Sequence, residues 1–105
     1  MIMAQVRRSP LARADLKEVL AYTHGKWGAE QAGRYATLID EAVDAIRKAP
    51  HLGRPRFGVR SGILAHHIGR TGRKASHLLY YRIDPNGDIE IVRFLHERMD
   101  PGLHL

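Results

Sequence analysis

Ala12, Leu16, Val19 and Leu20, with Thr23, recur at spacings of three and four along the first quarter of the chain. That period predicts an amphipathic helix with one face turned to a core. Ser9-Pro10 supplies its start, a hydroxyl cap followed by a proline at a position where no amide donor is missed. Gly25 is the expected stop. A second stripe, Ala32, Tyr35, Ala36, Ile39, Val43 and Ile46, predicts a helix from about Ala29 to Lys48. Glu30 with Arg34, and Asp44 with Lys48, lie four apart on its outer side. Ala49-Pro50 ends it, because a residue before proline avoids helical geometry. The short Trp27-Gly28 turn folds the two helices into an antiparallel hairpin with a shared apolar face.

Beyond residue 62 the period changes from helical spacing to two. Ile63 to Ile68 is an expected strand with Leu64, His66 and Ile68 on one side. In His77 to Asp84, Leu79, Tyr81 and Ile83 alternate with Leu78, Tyr80 and Arg82. Pro85-Asn86-Gly87 is a hairpin signal, and Asp88 to His96 is the return strand. There Ile89, Ile91, Arg93 and Leu95 are expected on one face and Glu90, Val92, Phe94 and His96 on the other. Ile2 to Val6 reads as a short first strand. Two glycine- and arginine-rich stretches, His51 to Gly62 and Gly69 to Ser76, are loops, and Glu97 to Leu105 has no period. The expected fold is α+β, a single domain over residues 1–105. It has an N-terminal strand and an antiparallel two-helix hairpin packed on an antiparallel sheet, which a three-stranded C-terminal meander completes.

Composition narrows the function. The absence of cysteine excludes a disulfide scaffold, a thiolate metal site and a cysteine nucleophile. No apolar run reaches the ~18 residues a membrane helix needs, and Met1 to Arg8 does not read as a signal peptide. A cytoplasmic protein with no membrane partner is expected. The net charge is +6 with a pI near 10.2, and the excess is uneven. No acidic residue lies between Asp44 and Asp84, while Arg47, Lys48, Arg54, Arg56, Arg60, Arg70, Arg73, Lys74 and Arg82 do. A stretch of one sign implies an anionic partner, either nucleic acid or an acidic protein segment.

Gly69 to Lys74 lacks the spacing of a phosphate-binding loop, and no cofactor is expected. Adjacent His66 and His67 point to opposite faces of a strand, so no metal site is expected. Metal-free RNA cleavage needs a base, an acid and cations around a phosphate. His66 or His67, His77, Tyr80 or Tyr81, Arg82, Arg93 and His96 could supply them from the sheet, although Arg82 can equally pair across the hairpin with Glu90. A groove between hairpin and sheet could instead bind an amphipathic acidic segment. Tyr22 and Trp27 could anchor such a contact or merely cap the core.

Several segments together resemble a known family. They are Ser9-Pro10-Leu11-Ala12-Arg13-Ala14-Asp15-Leu16, Trp27-Gly28 with Ala32 and Tyr35, and Pro50-His51-Leu52-Gly53-Arg54-Pro55. Leu78 to Ile83 and the run from Ile89 through Arg93-Phe94-Leu95-His96-Glu97-Arg98-Met99-Asp100 complete the set. In this order the chain resembles the ParE toxins of type II toxin–antitoxin systems, within the ParE/RelE superfamily. The resemblance implies a toxin that inhibits DNA gyrase and is not itself an enzyme. Its partner would be a ParD-like antitoxin, a ribbon-helix-helix protein whose flexible C-terminal part folds around the toxin in a hetero-oligomer. Operator DNA would be met only through the antitoxin. RelE relatives cut messenger RNA on the ribosome, and their tail usually carries a late tyrosine. No Tyr follows Tyr81 here, which favours the ParE branch. The alternatives are a RelE-like ribonuclease using His96, Arg82 and Tyr81, or a degenerate toxin that only binds antitoxin. Ile63 to Ile68 departs from the family, which more often has an arginine and an aromatic there. Leu16, Leu20, Tyr35, Ile39, Arg54, Arg56 and Arg82 are the expected antitoxin contacts. Arg70, Arg73, Lys74, Arg93, His96 and Arg98 are the expected carriers of toxicity.

Overall fold

The computed structural model describes residues 4–56, 58–69 and 77–105. A short strand β1 (Val6–Arg8) leads into helices α1 (Pro10–Trp27) and α2 (Ala29–Lys48). A 3-10 turn at Pro50–Leu52 follows, then strands β2 (Leu64–His67), β3 (His77–Ile83) and β4 (Ile89–His96). A second 3-10 turn, Pro101–Leu103, lies in the C-terminal tail.

The α+β architecture agrees with the pattern of the chain, and the limits of α2 fall where the stripe and Ala49-Pro50 put them. Helix α1 runs past the expected stop. Gly25 stays helical, and the positive φ of 92° falls on Gly28, whose N–H closes α1 on the His24 carbonyl. Gly28 alone joins the helices, since its carbonyl also accepts from Ala32 N–H at 3.1 Å. Ser9 caps α1 as expected, accepting from Ala12 N–H at 3.0 Å.

The sheet order is β1-β4-β3-β2, and β1 runs parallel to β4. The sheet is therefore mixed rather than wholly antiparallel. Apolar alternation marks which residues share a face but carries no information on strand direction. The described part of β1 begins at Val6 rather than ending there, and residues 2 and 3 of the expected strand lie outside the described residues.

A second correction concerns β4. Tyr80 pairs with Arg93 and Tyr81 with Ile91, so Val92 is an extra residue, a β-bulge. The bulge shifts the phase of the strand. Ile89, Ile91 and Phe94 face the helices, while Val92 and Leu95 face the other side. Simple alternation cannot bury both Ile91 and Phe94 on one face; one inserted residue does. Ser9 fixes the bulge from outside, donating its hydroxyl to Val92 O at 2.7 Å and its N–H to Ile91 O at 2.9 Å.

The sheet thus has two cores. The larger joins Ala12, Ile39, Val43 and Ile46 of the hairpin to Ile68, Leu79, Tyr81, Ile89, Ile91 and Phe94. The smaller gathers Leu78, Tyr80 and Leu95 under Ile63, Val59 and the C-terminal Leu105. Tyr22 and Trp27 cap neither core. They are 63% and 64% exposed, with Lys26 Nζ over both rings.

Tyr81 is fully buried, and its hydroxyl donates to Pro50 O at 2.6 Å and accepts from Gly53 N–H at 2.8 Å. This pair of bonds seats the turn after α2 against the sheet. A Cβ on Gly53 would lie 2.6 Å from the Tyr81 hydroxyl oxygen, and the buried ring has no room to retreat. Gly53→Ala is expected to destabilise the fold by about 2–3 kcal/mol, measured by urea denaturation, whereas Gly33→Ala meets nothing within 4 Å and should not destabilise.

Candidate functional site

The cationic, imidazole and phenol side chains expected to carry chemistry on the sheet are separated by the structure into three places. The first is the hairpin end of β3 and β4. Arg82 Nε lies 2.7 Å from Glu90 and Arg82 Nη1 lies 3.2 Å from Asp84, while Arg7 holds Asp84 at 2.6 Å. The Arg7 guanidinium keeps the Asp84 carboxyl below the usual carboxylate range. Arg82 is thus neutralised by its neighbours, as the cross-strand pairing with Glu90 allowed.

The second place is the opposite end of the same strands. Here a cleft of about 420 Å³ opens between α1, the ends of β3 and β4, and the tail. Its walls include Val19, Phe94, Leu95 and Met99, and Tyr22, His77, His96 and His104 also line it. His77 and His96 are partners across the sheet, and their rings meet edge to face with centroids 5.2 Å apart. Tyr35 reaches across from α2, its hydroxyl oxygen 2.6 Å from His77 Nδ1. Burial pushes the Tyr35 phenol up to about 12, so it keeps its proton. Burial, reinforced by His96, pushes His77 down to about 4 against the pull of Asp15. A neutral imidazole bonded to a neutral phenol results, which is a linchpin between α2 and the sheet.

Arg93 anchors the same cleft. Its Nε and Nη2 take both oxygens of Asp15 at 2.7 and 2.8 Å, and its Nη1 donates to His104 O at 3.0 Å. Asp15 Oδ2 also accepts from Phe94 N–H at 3.1 Å, on a stretch of β4 beyond the reach of β1. Both side chains are largely buried. Asp15 was not expected at the site. It lies three residues after Ala12 and one before Leu16, at the edge of an apolar stripe, and an acid in that position was the available signal. His96 Nδ1 accepts from Arg98 N–H at 3.1 Å, and Arg98 is exposed beside it.

The third place is the outer edge of β2, where Arg54 and Arg56 border His66 and His67. His66 is half-buried; burial and then the neighbouring His67 lower its proton affinity.

The expected antitoxin contacts do not form one surface of this chain. Leu16, Leu20 and Tyr35 gather around buried Ile39 in the main core, Arg82 is in the hairpin-end ion pairs, and Arg54 and Arg56 come together at the β2 edge. Of the expected toxicity residues, Arg93 and His96 share the cleft with Arg98 beside it, while Arg70, Arg73 and Lys74 lie outside the described residues. The ribonuclease trio does not converge. Arg82 and His77 are five residues apart on one strand, roughly 17 Å, His96 is opposite His77, and the Tyr81 hydroxyl is consumed in the core. Among the described residues, no three His, Asp or Glu side chains gather as a metal site, and no helix is long and apolar enough to cross a membrane.

Comparison with known proteins is consistent from end to end. Residues 6–101 match the family described as the ParE toxin of type II toxin–antitoxin system, parDE. The chain belongs to the ParE toxin family. Toxin ParE1 of Mycobacterium tuberculosis is 37% identical over 97 residues, covering 92% of this chain and 93% of that one. Toxin ParE1 of Caulobacter vibrioides is 33% identical over 103 residues, covering 98% and 99%. A chain of the chromosomal ParDE system from P. aeruginosa has the same fold, with a TM-score of 0.72 at 20% identity over 90% of this chain and 96% of that one. A chain of the toxin–antitoxin complex RelBE2 from Mycobacterium tuberculosis has a TM-score of 0.58 at 23% identity, over 91% and 100%. In this ParE-family chain the bulge, the Asp15–Arg93 pair and the tail come together around one cleft.

The sign of the pH dependence follows from His77. Its folded-state affinity for a proton is below that of the unfolded chain, near 6.5. The unfolded state therefore binds more protons between about pH 6.5 and 4, and the stability contributed by the neutral imidazole is complete above 6.5 and lost as pH falls through that window. Solvent screening at this half-buried site reduces the contribution to about 2 kcal/mol. Urea denaturation at pH 7 and pH 4.5 should show a loss larger by about that amount in the wild type than in His77→Gln. Equal losses would show that His77 does not govern it.

Proposed function

We propose that this ParE-family toxin arrests growth by binding DNA gyrase, without bond-making chemistry of its own, and that a ParD-like antitoxin neutralises it. The observation that carries the reading is the dispersal of the would-be catalytic groups. Arg82 is held by Glu90 and Asp84, Arg93 by Asp15, and the Tyr81 hydroxyl by Gly53 and Pro50. General acid–base cleavage of RNA needs an acid, a base and a cation within hydrogen-bond reach of one phosphate, and of the trio His96, Arg82 and Tyr81, the first two lie at opposite ends of the strands and the third has its hydroxyl inside the core. The ParE1 relatives at 37% and 33% identity support the same branch. In this reading the exposed tail, with Arg98 beside His96, meets the target, and the basic residues Arg70, Arg73 and Lys74 also contribute to toxicity. Arg93 acts indirectly by holding the tail.

A second reading has one observation in its favour. His77, His96 and His104 all line the same cleft, and titratable side chains gathered in a cleft are candidates for acid–base chemistry. The two readings part in one experiment. Antitoxin-free toxin is added to gyrase, relaxed plasmid and ATP, and in parallel to translating ribosomes with a defined messenger. Lost supercoiling or linear DNA with intact RNA is the expected result. Cut RNA with unimpaired supercoiling would overturn the gyrase reading, and His96→Ala would then abolish the cutting. Arg98→Glu is expected to raise the dose needed for inhibition about tenfold or more while leaving the urea midpoint unchanged.

A further inference from the structure

Part of the acid-free window of the sequence lines one groove in space. Arg54 and Arg56 follow the turn that Tyr81 anchors, and His66 and His67 stand on β2 beside them. With Leu52 and Leu78 they border a space of about 570 Å³. No carboxylate is among its described lining residues. Elsewhere the structure spends its acids on arginines, as with Arg7, Arg34, Arg82 and Arg93. Among the described residues neither Arg54 nor Arg56 pairs with a carboxylate; the Arg56 guanidinium lies beside the Tyr80 hydroxyl instead.

The backbone adds a constraint. Arg54 and Ala65 exchange both main-chain hydrogen bonds, at 2.9 and 2.8 Å. The middle of the β2 edge is therefore already closed, and a segment arriving here cannot extend the sheet through Ala65. It has to lie over the groove and be held by side chains. The described lining offers the aliphatic carbons of Leu52, Pro55, Ala65 and Leu78 for apolar side chains, while the aromatic rings it offers a base are the two imidazoles of His66 and His67. Cations around a floor that is more aliphatic than aromatic fit an acidic peptide carrying apolar side chains better than a single-stranded nucleic acid.

We propose that this groove receives an acidic, extended segment of the antitoxin, held by ion pairs to Arg54 and Arg56 above the floor of Leu52 and Leu78 rather than by strand addition. The proposal rests on the reading of the chain as a toxin neutralised by an antitoxin, and it adds the site and the manner of capture.

The test uses the full chain and the antitoxin that relieves its growth arrest on co-expression. Affinity is measured by titration calorimetry at low and moderate salt for three proteins: the wild type, Arg54→Glu with Arg56→Glu, and Arg13→Glu with Lys17→Glu, an equal charge change on exposed residues of α1. The groove variant should bind about 30-fold or more weakly and lose most of the salt dependence, while the α1 variant stays within about threefold. Arg54→Ala with Arg56→Ala, which leaves the main-chain bridge in place, should show the same direction with an unchanged urea midpoint. Wild-type affinity in the groove variants, or equal losses in groove and α1 variants, overturns the proposal and leaves the toxin–antitoxin reading standing. Displacement of the antitoxin segment by a short single-stranded oligonucleotide that itself requires Arg54 and Arg56 assigns the groove to nucleic acid and also overturns it. Failure of any antitoxin to relieve the arrest overturns the underlying reading along with it.

Discussion

The guanidinium of Arg93 is bonded at once to a helix and to the tail, and it sits on the strand between them. Two of its nitrogens take the carboxylate of Asp15 on α1, and the third takes the carbonyl of His104. The same carboxylate satisfies Phe94 N–H on the edge of β4, where β1 has already ended. A paired, hydrogen-bonded charge can be removed from water; an unpaired one cannot without a large penalty. The bulge at Val92 belongs to this arrangement, because the inserted residue lets both Ile91 and Phe94 enter the main core. Ser9 holds the bulge, Asp15 holds the residue after Arg93, and both lie in or next to the first turns of α1.

Two groups stand apart among the basic residues of a chain with net charge +6. Arg7, Arg82 and Arg93 are spent on carboxylates and hold strands and tail in place. Arg54, Arg56 and Arg98 make no such pair among the described residues, and they stand at two separated places, the β2 groove and the tail. A toxin that must meet both a target and an antitoxin gains from having two surfaces. Each can be strengthened without disturbing the other, since mutational effects at distant sites add.

Much of this was legible in the chain. The stripe of α2 and its proline stop are local signals and fixed its limits; the Asn-Gly turn and the cap at Ser9 are local as well. The family resemblance rested on the order of many weak segments, and it holds over residues 6–101. What was not legible is non-local. Gly25 and Gly28 look alike as stops until the packing of the hairpin decides which takes a positive φ. The direction of β1 leaves no trace in its side chains. The bulge breaks a period that was otherwise sound, and only the need to bury residues on both faces reveals it. The ribonuclease trio was plausible by residue type, yet Tyr81 alternates with Tyr80 onto a face that is sealed, and Arg82 stands a full strand length from His96.

If Arg93 is what positions the tail, then removing its partner on α1 must be felt at the C-terminus, far along the chain. Hydrogen exchange in Asp15→Ala measures this directly. Faster exchange is predicted at Phe94, which loses its acceptor, and at Leu103, His104 and Leu105, whose amides bond within the tail turn at Asp100 and Pro101. Exchange at Leu79 and Tyr81 in the centre of the sheet should remain slow. If the tail amides exchange at the wild-type rate while Phe94 speeds up, the tail is held by its own contacts and the role assigned to Arg93 is wrong.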